Sequence, residues 1–396
     1  MAKNHKIAKC PPLRFPQFND EWKQTTLGEI LAFETGYPFP SDSFNGEGNG
    51  VRLIKNRDLK TDDRIIYYEG EYDERYIVQN GDILIGMDGD FSPCLWKKGK
   101  ALLNQRVGRI NTNQNASRVF ILYVLADSLK EIELKTSSTT VKHLSHKDVE
   151  KIKASLPSLA EQEKIASFLS LIDERIQSCS ETIKERKREK AALLNQLFSQ
   201  KLRFPKFSDE WQQTMLGEIA EIKKGSPLSK VDLIHSGYNL AIHYGELFTQ
   251  YKEKITQVIS RTNLLGFTSL EGDILMPSSD VTPRGLATAS CIFLNGVILG
   301  GDMNIIRSIT NQAVPMFLTY ALIFQKDNII SKVSGTTVKH IYPKDLYSLE
   351  FYLPSLSEQE KIADFLSLID ECIEVEEELL EQYERQKRYL LKQMFI

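Results

Sequence analysis

The sequence predicts an α+β fold made as a tandem repeat. Two globular domains are separated by two long helices packed as an antiparallel coiled coil, and a pseudo-two-fold axis relates the halves. Three observations predict it. Two sequence blocks recur at a nearly constant distance along the chain. The stretches between them mix short strand-like and helix-like runs. Each second block opens a run of apolar residues at coiled-coil spacing.

The first block, residues 14–30, reads RFPQFNDEWKQTTLGEI. It returns at 203–219 as RFPKFSDEWQQTMLGEI, identical at 13 of 17 positions with an offset of 189. The second block, residues 156–176, reads LPSLAEQEKIASFLSLIDERI. It returns at 353–373 as LPSLSEQEKIADFLSLIDECI, identical at 18 of 21 positions with an offset of 197. Two shorter echoes are TTVKH at 139–143 and 336–340, and GDIL at 81–84 and 272–275. Between these markers the halves hardly align, as the runs from Gly36 and from Lys224 show. Uniform drift would spread the differences evenly. Matching frames around dissimilar contents predict two domains that do one job on two different targets. The markers divide the chain into 1–155 (first globular domain), 156–202 (central helical spacer), 203–352 (second globular domain) and 353–396 (C-terminal helical spacer).

Within the globular parts, 24–155 and 213–352, β-rich runs fall at 65–68, 82–85, 290–294 and 297–299, and a helical run at 316–324. Gly, Asn, Asp and Ser punctuate them, as loops require. Each domain is therefore expected to be α+β.

The helices start after Pro157 and Pro354, which end the preceding strands. Ser158 with Glu161, and Ser355 with Glu358, have capping-box spacing. The first apolar stripe is Ile165, Leu169, Ile172, Ile176, Cys179 and Ile183, then Leu193 and Leu197. The second is Ile362, Leu366, Ile369 and Ile373, then Leu380, Tyr383, Leu390 and Met394. Helices over about 161–200 and 358–396 would each be roughly 60 Å long at ~1.5 Å per residue. Packing on each other hides both stripes. In an antiparallel pair the acidic stretch 374–378 approaches the basic stretch 184–190.

Composition narrows the class. At 396 residues, with 41% hydrophobic and 26% charged, the chain can form sizeable cores. No apolar run is long enough for a transmembrane helix, and residues 1–10 lack the apolar core of a signal peptide. The five cysteines, Cys10, Cys94, Cys179, Cys291 and Cys372, are widely spaced. That suits a reducing cytoplasm and argues against zinc. No Walker A loop, adenine-methyltransferase motif pair or HExxH is present, so no catalytic, cofactor-binding or metal-binding residue is expected in this chain. A nuclease-like ExK fragment at Glu21 and Lys23 loses its lysine in the repeat, where Gln212 stands. The net charge of −3 gives no global basic footprint, so any nucleic-acid surface must be local or shared with a partner.

The duplicated EQEKIA block, the RFPxFxxEW block opening each half and the two variable stretches resemble the specificity subunits of type I restriction–modification enzymes. The resemblance covers nearly the whole chain. It implies that each variable domain is a target recognition domain for one half of a split, asymmetric site in double-stranded DNA. It also implies that two methyltransferase subunits, which bind S-adenosylmethionine, dock on the helices. Restriction–translocase subunits using ATP and Mg²⁺ would complete the enzyme in the cytoplasm. A related type II system, or a coiled-coil scaffold that binds no DNA, are the alternatives.

DNA contacts come chiefly from Lys, Arg, Asn, Gln, Ser and Thr. The first-domain candidates are Lys55, Asn56, Arg57, Lys97, Lys98, Lys100, Asn104, Gln105 and Arg106. The second-domain candidates are Lys223, Lys224, Ser226, Lys230, His243, Tyr244, Arg261, Ser278, Ser279, Thr282 and Arg284. Lys142 and Lys339, common to both copies of the TTVKH loop, are better suited to phosphates than to bases.

Overall fold

The computed structural model describes residues 10–135 and 143–396. The chain divides into two units, Met1–Cys179 with Leu379–Ile396, and Ser180–Glu378. Each long helix gives one half to each unit.

In the first unit, β1 (Lys23–Thr26) is built from the first repeated block. It pairs antiparallel with the strand Lys153–Leu156, which leads into the second block, so that Lys23 lies opposite Leu156. The variable stretch thus leaves and returns through one two-stranded neck. Inside it, β2 (Leu31–Thr35), β3 (Val51–Ile54), β4 (Ile83–Gly86), β5 (Pro93–Leu95), β6 (Ala101–Leu103) and β7 (Val107–Thr112) form two sheets. One has the order β2-β7-β4-β5. The other centres on the parallel pair β3 and β6. The alternation of side chains along a strand decides the cores. Ile83 and Ile85 face a core with Trp22 and with Phe120 and Leu125 of helix α1 (Arg118–Lys135), while Leu84 faces a second core with Trp96 and Val107. The neck's return strand, β8 (Lys153–Leu156), runs into helix α2 (Leu159–Phe198).

The second unit follows the same plan. The neck is β9 (Gln212–Met215) against Glu350–Leu353, with Gln212 opposite Leu353. Next come β10 (Ala220–Lys224), β11 (Asn239–His243), β12 (Ile274–Pro277), β13 (Ser290–Ile292), β14 (Ile298–Gly300) and β15 (Met303–Ser308). They give a sheet ordered β10-β15-β12-β13 and a parallel pair of β11 with β14. Helix α3 (Pro315–Phe324) packs beneath, then β16 (Glu350–Leu353) enters helix α4 (Leu356–Met394). Stretches whose sequences hardly align therefore share one strand order, because burial of alternate residues constrains hydrophobicity and not identity.

Both long helices start two residues before the expected position. Their apolar stripe does two jobs. In the first unit Ile165, Leu169 and Ile172 share one core with Trp22 and Phe120 of the globular part and with Leu390 and Met394 of α4; Ile176 packs at its edge. In the second unit Ile362 and Leu366 share a core with Trp211, Phe317 and Leu197. Cys179, Ile183 and Ile373 are buried, and Ile369, Leu380 and Tyr383 are half-buried. Leu193 is only half-buried, and its neighbour Leu194 takes the core position. Within the second unit Lys187 meets Glu377 at 2.6 Å and Lys190 meets Asp370 at 2.5 Å. Position numbers rise on one helix as they fall on the other, so the segments run antiparallel. The first unit pairs Asp173 of α2 with Lys387 of α4 at 2.5 Å. The stretch 374–378 thus reaches 184–190 through Glu377, while Glu374 faces Lys252 of the globular part.

The capping boxes do not form as their spacing suggests. The Glu161 N–H donates to Ser158 Oγ at 3.4 Å, but neither glutamate returns to its serine. An arginine takes each carboxylate instead.

Candidate nucleic-acid interface

The site begins with the way each repeated block grips its own domain. Arg14 donates to both oxygens of Glu161 at 2.6 and 2.7 Å, and Arg203 to both oxygens of Glu358 at 3.0 and 2.7 Å. Glu161 and Glu358 are 1% and 2% exposed. The bidentate guanidinium outcompetes a capping hydrogen bond because it matches the carboxylate's charge as well as its geometry. The following glutamines are buried too. Gln162 accepts from the Ser117 N–H and donates to the Asn115 and Pro157 carbonyls. Gln359 accepts from the Val314 N–H and donates to the Gln312 and Pro354 carbonyls. A Tyr–Asp–Lys set repeats as well. Tyr123 donates to Asp173 at 2.8 Å and Tyr320 to Asp370 at 2.7 Å, and each aspartate also pairs with a lysine of the antiparallel helix segment. Burial, with Glu253 nearby, pushes the Asp370 carboxyl up. None of these residues is among the site candidates that residue type and spacing single out, although their duplication is a signal for them. They hold a rigid platform, which a recognition surface requires.

Within each unit some of the candidates gather at one equivalent turn. In the first unit the Met87 N–H donates to the Arg106 carbonyl at 3.0 Å, and the Leu144 N–H to the Met87 carbonyl at 2.8 Å. In the second unit the Ser278 N–H donates to the Asp302 carbonyl at 2.7 Å, and the Ile341 N–H to the Ser278 carbonyl at 3.1 Å. Asp88 bridges His143 as Ser279 pairs with His340. Lys55 follows β3 in the position that His243 holds at the end of β11, since Ile54 lies opposite Leu103 and Ile242 opposite Leu299. The histidine that closes each TTVKH motif therefore borders the same turn in both units, and the turn carries different side chains.

In the first unit those side chains converge on Asp88. Arg106 Nη1 lies 2.9 Å from Asp88 Oδ2, His143 Nδ1 lies 2.9 Å from Oδ1, and Asn56 Nδ2 donates to the Asp88 carbonyl. Asn104 is buried and its Oδ1 accepts from the Arg106 N–H, so it shapes the turn. Gln105 and Lys97 are exposed. Arg57 is tied to Asp58 and the Arg64 carbonyl, Lys98 to Asp62 at 2.8 Å, and Lys100 lies over the Tyr72 ring. Burial, together with Arg57, pushes the Lys55 ammonium down from its usual range, and its Nζ stands over the Phe44 ring. Burial also acts on Asp90, but hydrogen bonds from Lys60 and Ser92 outweigh it and take the carboxyl down to about 2.

In the second unit the turn carries acid. Ser279 Oγ donates to Asp302 Oδ2 at 2.6 Å. Ser278 and Ser279 are buried, so they support the turn from within, and Ser226 Oγ does likewise by accepting from the Phe267 N–H. Thr282 donates to Asp280 at 2.7 Å. Lys224, Lys230, Arg261 and Arg284 are exposed, Lys223 pairs with Glu221, and Lys339 Nζ donates to the Gly335 carbonyl. His243 Nδ1 accepts from the Gly245 N–H, its ring packs at a tilt against Tyr244 with centroids 4.5 Å apart, and burial pushes its pKa down. Lys142 lies outside the described residues. Among the described residues no group of three or more His, Cys, Asp or Glu could hold a metal ion, and no helix is long and apolar enough to cross a membrane.

Known proteins share this plan. The family model for the type I restriction modification DNA specificity domain matches twice, at residues 19–186 and 208–385. The EcoBI specificity subunit of Escherichia coli is 36% identical over 161 residues, covering 40% of this chain and 34% of that protein, about a third of its length. The MjaVIII specificity subunit of Methanocaldococcus jannaschii is 23% identical over 439 residues, covering 96% of this chain and 92% of the relative. The crystal structure of a type I restriction–modification S subunit from M. genitalium has the same fold. It superposes with a TM-score of 0.71 at 18% identity over 98% of this chain and 99% of that one. With two copies of the family's domain spanning most of its length, the chain belongs to the type I restriction–modification DNA specificity family.

Proposed function

We propose that this chain is the non-catalytic subunit that selects the DNA target of a type I restriction–modification enzyme, with each unit recognising one half of a bipartite, asymmetric site. The observation that carries this reading is the equivalent turn, held in both units by the same pair of backbone hydrogen bonds yet furnished with different side chains. The long helices then serve as spacer and as the docking surface for two methyltransferase subunits. Those subunits supply S-adenosylmethionine, and restriction–translocase subunits supply ATP and Mg²⁺ chemistry. The partners also share the phosphate contacts, which answers the net charge of −3. The recognition domains are assigned to 1–155 and 203–352, and the spacers to 156–202 and 353–396. Phosphate contacts are assigned to exposed lysines and arginines of each unit, Lys97, Lys224, Lys230, Arg261 and Arg284 among them.

The test is sequencing of modified bases in genomic DNA from cells that express this chain with its cognate methyltransferase, against cells lacking it. A new split motif with methyladenine in each half is the expected result. Exchange of residues 24–155 for those of another family member should alter one half-site only. No new motif with both proteins expressed and associated would overturn the reading and favour a scaffold, which would also show no DNA affinity with a steep salt dependence.

A further inference from the structure

Arg106 and Asp302 occupy one position in two copies of the same turn. Each precedes the strand paired with the GDIL strand, and each gives its carbonyl to the equivalent N–H, from Met87 or Ser278. Both side chains reach solvent; that of Arg106 is 67% exposed. Both are steadied from behind. Asp88 holds Arg106 Nη1 at 2.9 Å and is itself held by His143. Ser279 holds Asp302 Oδ2 at 2.6 Å. Among the described residues Arg106 Nε and Nη2 and Asp302 Oδ1 have no hydrogen-bond partner, so each group keeps an edge for a ligand.

We propose that these two residues read bases: Arg106 selects guanine, and Asp302 selects a base whose groove edge offers an amino group, cytosine or adenine. The inference rests on the DNA-selecting function proposed for the chain. A phosphate role fits Arg106 alone, because a carboxylate at the same place would repel a phosphate. A position that does one job in both units must face something that can be either acceptor or donor, and the base edges of the major groove are that surface. The guanidinium presents paired donors that match guanine O6 and N7. The carboxylate can only accept, so it matches an exocyclic amine and is repelled by guanine O6. The acid has moved between the copies. It supports from position 88 in the first unit and reads from position 302 in the second, where Ser279 takes over the support.

The experiment is modified-base sequencing of cells carrying the cognate methyltransferase with the wild-type chain, Arg106→Ala, Arg106→Lys or Asp302→Asn. The wild-type motif should contain a guanine in one half and a cytosine or adenine in the other that these variants release. The Arg106 variants should relax that one guanine, lowering discrimination there by roughly 5- to 150-fold, and leave the other half-site intact. Asp302→Asn should relax one position of the other half only. A split wild-type motif that both Arg106 variants leave unchanged overturns the inference while the proposed function stands. Absence of a split motif in the wild type defeats the proposed function instead. If both Arg106 variants prevent assembly with the methyltransferase, or assemble and abolish all methylation, the position is structural and the inference fails.

Discussion

Replacing Arg203 by alanine isolates the grip of the frame on its domain. Arg203 donates to both oxygens of Glu358, whose carboxylate is 2% exposed while the arginine side chain keeps 20% of its surface. Removing one partner of a buried pair costs about 3–5 kcal/mol, because the remaining charge is left desolvated and unpaired. The partial exposure of Arg203 lets some water reach the vacated space, so the low end, about 3 kcal/mol, applies. For a unit of roughly 200 residues each kcal/mol moves Tm by ~2–4 °C, which gives a fall of roughly 6–12 °C. Scanning calorimetry of the full chain reads it. Arg203→Ala with Glu358→Gln should recover part of the loss, since a neutral amide is cheaper to bury. The same substitution at Arg14, which grips Glu161, provides the matched control in the first unit. A fall below about 2 °C would place the pair among exposed ion pairs of ~0–1 kcal/mol and refute the argument. So would a double variant no more stable than Arg203→Ala.

Three further outcomes are expected. Tyr320→Phe removes hydrogen bonds to Asp370 at 2.7 Å and Ser367 at 3.1 Å; a loss of about 2 kcal/mol should follow in urea unfolding, with Tyr123→Phe behaving alike, and an unchanged midpoint in both would deny the set a role. Lys97 is exposed while Lys98 is held by Asp62, so Lys97→Ala should lower the slope of log affinity against log salt by about 1 and Lys98→Ala by less; equal effects would contradict the assignment. Burial pushes the His243 pKa below its ordinary ~6.5, so the ring is neutral at pH 7. The unfolded state then binds more protons as pH falls through about 6.5, and stability should decline there, whereas DNA affinity should rise once the ring charges; His243→Gln should flatten both trends, and unaltered pH profiles would count against them.

The strands around 82–85 and 297–299, the helix at 316–324 and both long helices are legible in the sequence, because each carries a run of apolar residues at its own period. The shared strand order of the variable stretches is not. Ile54 and Ile242, or Leu103 and Leu299, are interchangeable as buried residues, and interchangeable residues leave no identity to align. The turn is half legible. Arg106 and Ser279 stand out as polar residues in loops, but Asp88, Asp302 and His143 become partners only through pairings that join positions 18 to 55 residues apart. Glu161 has the local spacing of a helix cap, yet the fold offers it Arg14, 147 residues away.

The contrast between frame and turn has an energetic origin. Glu161, Gln162, Glu358 and Gln359 are polar and nearly fully buried; each glutamate is held by both arms of an arginine and each glutamine by three backbone groups. Changing any one alone strands a buried donor, acceptor or charge, which costs about 1–3 kcal/mol for a neutral group and more for a charge. That is a large fraction of a typical folding free energy of ~5–15 kcal/mol. Arg106 and Asp302 bear a lighter burden, although Asp302 also holds the buried Ser279 hydroxyl. Their backbone carbonyls carry the turn, accepting hydrogen bonds that any residue's carbonyl could accept, and their side chains end in solvent. On the proposed reading, exchanging them alters what the surface accepts at a lower cost in stability than any change in the frame. Two copies of one domain can therefore hold 18 of 21 residues in common at the head of the long helix and almost none across the stretches proposed to meet a target.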